Sequence, residues 1–115
     1  MTGVQTCALP ISIGAAIEHA GKDEPSEVAV AALGEGWVGE EALAIALWAA
    51  LKAQGHAAVI ALAANHDGDS DSTASIAAQL CGAELGIDEL PHAWVRRLDV
   101  LDPLLQLIDR LLDAS

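Results

Sequence analysis

The stretch Gly39-Glu40-Glu41-Ala42-Leu43-Ala44-Ile45-Ala46-Leu47-Trp48-Ala49-Ala50-Leu51-Lys52-Ala53-Gln54 decides the fold class. Leu43, Ala46, Leu47, Ala50 and Leu51 fall at the i, i+3, i+4, i+7, i+8 spacing of one helical face. Glu40 and Glu41 occupy the first turn, where carboxylates complement the helix dipole, and Gly55 follows as a stop. A half-buried strand needs apolar and polar residues to alternate with period two, and no stretch of the chain does so over strand length. An amphipathic helix is predicted here, in an all-α chain.

Outward from this helix the same logic places the others. Residues 13–20 read as the tail of a helix ended by Gly21, and Ser26 can cap a short apolar helix through Ala32. Gly34-Glu35-Gly36 then forces a loop. Residues 56–64 form a compact apolar helix, and after the polar run 65–72 another helix spans about 72–85, ending at Gly86. Pro91 opens a helical turn over 93–98, and Pro103 suits the first turn of a last helix reaching Leu112. Leu104, Leu107, Ile108 and Leu111 share one face of that helix and are expected to dock on the bundle.

Composition agrees. The chain has 115 residues, room for one domain, with 24 Ala and 16 Leu, three Trp and no Phe or Tyr. Five Lys plus Arg against 17 Asp plus Glu give a net charge of −12, which disfavours nucleic acid and anionic membrane surfaces as partners. At 53% hydrophobic residues the chain is not a disordered acidic tail, and no 18-residue uncharged run suggests a membrane span. Two cysteines, Cys7 and Cys81, make no disulfide framework and fit a cytoplasmic location. Oligomeric state is not written in these numbers.

Residues 1–12 have no clear periodicity and resemble the conceptual translation of a sequencing-adapter oligonucleotide. The natural protein is therefore expected to be longer, with its own sequence here beginning near Ile13 and filling 13–115. Cys7 would then carry no meaning.

One segment stands apart from the apolar background: Asn65-His66-Asp67-Gly68-Asp69-Ser70-Asp71-Ser72-Thr73. Its carboxylates at i, i+2 and i+4, with hydroxyls between and after, are oxygen donors of the kind that hard cations such as Mg²⁺ and Mn²⁺ prefer. Without a cation the same residues would be a solvated Asp/Ser helix cap. An EF-hand loop is excluded, because its sixth position must be Gly and is Ser72, and its twelfth should be Glu and is Ala78.

The loop Gly34-Glu35-Gly36-Trp37-Val38 with Glu41-Ala42-Leu43-Ala44-Ile45-Ala46-Leu47, followed by the acidic segment 65–73, resembles the C-terminal part of the ADP-ribosylglycohydrolase family over roughly residues 13–98. That resemblance implies an all-helical fold and a dinuclear Mg²⁺ or Mn²⁺ centre. It also implies a hydrolase that removes ADP-ribose from a protein side chain or small acceptor. The family's late motif, Gly-Asp-x-Asp-Ser/Thr, falls on Gly68, Asp69, Ser70, Asp71 and Ser72. Asp69 and Asp71 would be the catalytic carboxylates and metal ligands, Ser72 a hydroxyl ligand, and His66 and Asp67 lie beside them as supporting residues. Gly34, Gly36 and Trp37 would lie against the ADP-ribose, the glycines letting backbone amides approach it.

The family's early Thr-Asp-Asp motif, which supplies the other ligands, is absent from the chain. The dinuclear site is thus expected to be incomplete and the chain inactive by itself, with apolar faces left uncovered so that it associates. A non-catalytic acidic helical domain that binds ADP-ribose or a protein partner is the alternative. Among the other residues, His19, His56 and His92 read as surface or helix-end residues. Cys81, Trp48 and Trp94 read as core, and Arg96-Arg97 is too short for a basic patch.

Overall fold

Trp48 and Ile45 are 1% and 0% exposed, and the fold is arranged around the helix that carries them. The computed structural model describes the backbone of residues 2–114 and the side chains of residues 8–114; the Cys7 side chain, expected to carry no meaning, lies outside the described ones. Among the described residues the elements are α1 (Thr2–Ala20), α2 (Ser26–Leu33), α3 (Gly39–Lys52), α4 (His56–Ala64), α5 (Ser70–Leu85), a 3-10 turn (Ile87–Glu89), α6 (His92–Arg96) and α7 (Leu101–Ala114), with no strand. The all-α class follows from the composition as expected.

α3 is the central helix, packed by α1 and α5 chiefly and by α2 and α4 as well. Its buried residues are Ala42, Ala44, Ile45, Ala46, Trp48 and Ala49. The face expected from the leucine spacing is therefore displaced. Leu43, Leu47 and Ala50 are only partly buried and Leu51 is 54% exposed. A single-stripe pattern describes a helix covered on one side, whereas α3 is covered on several. Alanines with Ala16, Ala29, Ala63 and Ala77 on the neighbouring helices let the backbones approach closely, and Trp48 fills the space that remains. α4 and α5 form an antiparallel-neighbour pair joined by the short turn 65–69.

Several local expectations shift. α1 runs without interruption from Thr2 and contains Pro10, where only 13–20 read as helix. Leu9, Pro10 and Ile11 are exposed, so this part of the helix shows no buried stripe strong enough to read. Ser26 is the first helical residue of α2, with Pro25 in the capping position and no side-chain cap. The Lys52 ammonium donates to the Lys22 carbonyl, tying the end of α3 to the α1–α2 connection, and His19 pairs with Glu24 at 2.5 Å.

The last helix does not dock as expected. No residue of α7 is buried, and Leu104, Leu107, Ile108 and Leu111 are 39–63% exposed. Among the described residues α7 packs extensively against no other element. Trp94, expected in the core, is 49% exposed on α6. Cys81 is a small core residue as read. His56 sits at a helix end, the first residue of α4, but it is buried, and neither ring nitrogen has a hydrogen-bond partner in the described structure.

Candidate functional site

The 34–38 loop and the 65–73 segment, about thirty residues apart in sequence, meet in the fold. The Asp69 N–H donates to the Glu35 carbonyl at 2.8 Å. This approach leaves no room at Gly68, where an added Cβ would stand 2.0 Å from the Glu35 oxygen. Gly36, with φ of +86°, lies against Thr73, whose Cγ2 would be 2.9 Å from a Cβ at position 36. Gly36 and Gly68 are therefore required by the contact of the two segments with each other.

The first three amides of the loop are already occupied. Gly34 N–H donates to the Val30 carbonyl at 3.0 Å, and Glu35 N–H and Gly36 N–H both donate to Oε1 of Glu41, at 2.9 and 3.3 Å. The Gly34 and Gly36 amides are thus held within the loop and its flanking helices. The freedom of these glycines serves positive φ and internal packing. Trp37 projects from the same loop and is 65% exposed.

On the other side, His66 and Thr73 brace the turn. Gly68 N–H donates to His66 Nδ1 at 3.0 Å, and His66 Nε2 lies 2.8 Å from Thr73 Oγ1. The Thr73 hydroxyl donates to the Ala63 carbonyl at 2.7 Å, with the Ser70 carbonyl at 3.1 Å as a further acceptor. Because Nδ1 accepts, the proton of the neutral ring is on Nε2, and the donors run Gly68 to His66 to Thr73 to Ala63. His66 thereby fixes the backbone on both sides of Asp69.

Asp69 stands at the N-cap position of α5, yet its side chain makes no capping hydrogen bond. Asp71 follows two residues later in the first turn of the helix. The neighbouring Asp69 side chain first, and the Ser72 N–H donated to Asp71 Oδ1 at 3.0 Å second, hold Asp71 below the usual carboxylate range. Asp71 is exposed, while Asp69 and Ser72 are half-buried. The set is two carboxylates and a hydroxyl within one helical turn. Among the described residues no group of three His, Cys, Asp or Glu side chains is poised to hold a metal ion. The donors thus suit a hard cation in kind and supply part of a six-oxygen shell in number.

A cleft of about 440 Å³ opens beside this junction, lined by Gly34, Glu35, His66, Asp67 and Gly68 together with α2 residues such as Glu27 and Val30. Asp67 is exposed at its edge; Asp69, Asp71, Ser72 and Trp37 do not line it. The sequence pointed to the two motifs but gave Glu41 only a helix-dipole role and Thr73 no role. A carboxylate at the third position of a helix that follows a Gly-x-Gly loop was the available signal, since such a residue can reach back to preceding amides.

Comparison with known proteins places these features in context. A family model described as ADP-ribosylglycohydrolase matches residues 4–115. The chain is 42% identical over 36 residues to the ADP-ribosyl-[dinitrogen reductase] glycohydrolase of Rhodospirillum rubrum, covering 31% of this chain and 12% of that protein. It is 36% identical over 75 residues to the ADP-ribosylarginine hydrolase Tri1 of Pseudomonas putida (strain GB-1), covering 65% of this chain and 20% of that protein. The chain thus spans a small part of the length of these relatives. No solved structure matches it significantly. Among the described residues no helix is long and apolar enough to cross a membrane.

Proposed function

The chain belongs to the ADP-ribosylglycohydrolase family, and on that premise we propose that it is part of a metal-dependent hydrolase that removes ADP-ribose from a protein side chain or a small acceptor. The observation that carries this reading is the Asp69 carboxyl, which occupies a cap position without capping and so stays available, with Asp71 and Ser72 in the following turn. A solvated helix cap, the basis of the rival non-catalytic domain, would spend that carboxyl on the free amides of α5.

Asp69, Asp71 and the Ser72 hydroxyl would hold Mg²⁺ or Mn²⁺, with the remaining ligands supplied from outside these residues. Bound there, the cation would polarise a ribose hydroxyl or a water. Asp71 stays ionised because its neighbours stabilise the charge, which suits it to ligation. A carboxylate of this pair would assist proton transfer as the acceptor departs. Trp37, exposed on the adjoining loop, offers a flat apolar surface to a substrate. Gly34 shapes the cleft wall, and Gly36 keeps the loop seated on Thr73. His66 holds the turn, and Asp67 faces solvent at the cleft edge. The intact protein would act in the cytoplasm, and this chain, lacking Thr-Asp-Asp, would bind metal weakly and turn nothing over.

Calorimetric titration with Mn²⁺, together with an assay on ADP-ribosylated arginine peptide, tests the reading. Weak binding abolished by Asp69→Asn and Asp71→Asn, without release of ADP-ribose, is expected. Binding indifferent to both substitutions overturns the ligand assignment, and measurable release overturns the inactivity.

A further inference from the structure

Glu41 lies in neither motif's acidic segment, yet both are held through it. We propose that Glu41 is a positioning residue for the cation site, acting on Asp69 through the peptide unit between Glu35 and Gly36; this rests on the reading of Asp69 and Asp71 as ligands.

The geometry is a short relay. A trans peptide is planar, so its N–H and C=O point in opposite directions and turn together. The Gly36 N–H of this unit donates to Glu41 Oε1 at 3.3 Å, while the Glu35 C=O at its other end accepts the Asp69 N–H at 2.8 Å. The Glu35 N–H donates to the same Oε1 at 2.9 Å, so one carboxylate oxygen fixes the backbone on both sides of the Glu35 Cα. Charge on the acceptor strengthens both bonds, and a peptide that donates strongly also accepts more strongly.

Two further observations show that the fold is shaped around this carboxylate. Gly34, at φ of +116°, lies flat against it, where a Cβ would be 2.5 Å from the Glu41 Cδ. Glu41 itself is anchored at the third position of α3, the most buried helix of the molecule, so the relay starts from a rigid support. Movement at Glu41 is therefore passed to the Asp69 backbone, and from there to the carboxyl it carries.

Amide exchange followed by NMR on the full chain tests this, with Mn²⁺ line broadening as a second measurement. Glu41→Ala should speed exchange of the Asp69 and Gly36 amides about tenfold, as loss of a charge-assisted bond implies, while the α1 amides keep their protection. It should also reduce Mn²⁺ broadening at Asp69 and Asp71. Glu41→Gln, which keeps an oxygen acceptor but loses its charge, should accelerate the same two amides to a smaller degree than alanine does. If the alanine variant unfolds, the glutamine variant decides: selective acceleration at Asp69 and Gly36 supports the relay, and uniform or absent change overturns it. Wild-type protein without broadening at Asp69 and Asp71 would remove the cation reading, while the exchange result would still judge Glu41. Broadening that is present and identical in all three proteins would overturn the role of Glu41 and leave the cation reading standing.

Discussion

The imidazole of His66 and the hydroxyl of Thr73 lie 2.8 Å apart, and this one bond ties the turn before α5 to the helix it introduces. His66 is half-buried and Thr73 fully buried, so solvent cannot replace the bond without a structural change.

Removing the Thr73 hydroxyl leaves the His66 Nε2–H and the Ala63 carbonyl short of a partner. Thr73→Val should destabilise the chain by about 1–3 kcal/mol, the usual penalty for unsatisfied buried polar groups. Thr73→Ser keeps the hydroxyl and loses only the Cγ2 that packs on Gly36, and should fall between wild type and the valine variant. Urea melts of the three proteins check the order, and equal midpoints would refute it.

Gly68 and Gly14 respond oppositely to alanine. At Gly68 the new Cβ meets the Glu35 oxygen at 2.0 Å, so the loops must part, at about 1–3 kcal/mol or more. At Gly14, on the exposed side of α1, nothing lies within 4 Å, and alanine should add about 0.5–1 kcal/mol of helix stability. Thermal melts of Gly68→Ala and Gly14→Ala should therefore move in opposite directions from wild type.

The tryptophans divide by exposure. Trp48→Ala should remove about 3–5 kcal/mol and leave little folded protein. Trp37→Ala should stay within about 0.5 kcal/mol of wild type, so any weakening of ADP-ribose binding in that variant reports contact and not folding. Chemical denaturation paired with ligand titration separates the two effects.

Cys81 should be inert while the fold is intact. Burial, and secondarily the Glu84 charge, raise its thiol above the ordinary value by disfavouring the thiolate. A raised folded value stabilises the fold below the unfolded thiol's range, and this contribution is lost as pH rises through the folded value. Iodoacetamide at pH 8 should label Cys81 slowly in native protein and rapidly in urea, as read by peptide mass mapping. Fast native labelling would contradict the burial.

The fold class and the places of all seven helices were legible because they depend on local quantities: apolar spacing, glycine stops and the absence of period-two alternation. The buried face of α3 was not, because a helix enclosed by several neighbours has no single stripe to find, and small Ala42 and Ala49 proved more central than Leu43 and Leu51. α7 misled for the opposite reason. Its apolar stripe is plain in the sequence, but a stripe does not specify what covers it. At the site, Asp69, Asp71 and Ser72 were recognisable as oxygen donors in a row. The Glu41 contacts were hidden because they depend on a loop folding back onto its own following helix.

The contact between Glu35 and Asp69 is made wholly by main chain, and the Glu35 side chain takes no part in it. Alanine scanning would therefore score position 35 as dispensable. Replacing the amide at Asp69 with an ester, by chemical ligation, deletes the donor while keeping every side chain, and would expose an element of the site that no codon change at position 35 can delete, since every residue retains its carbonyl.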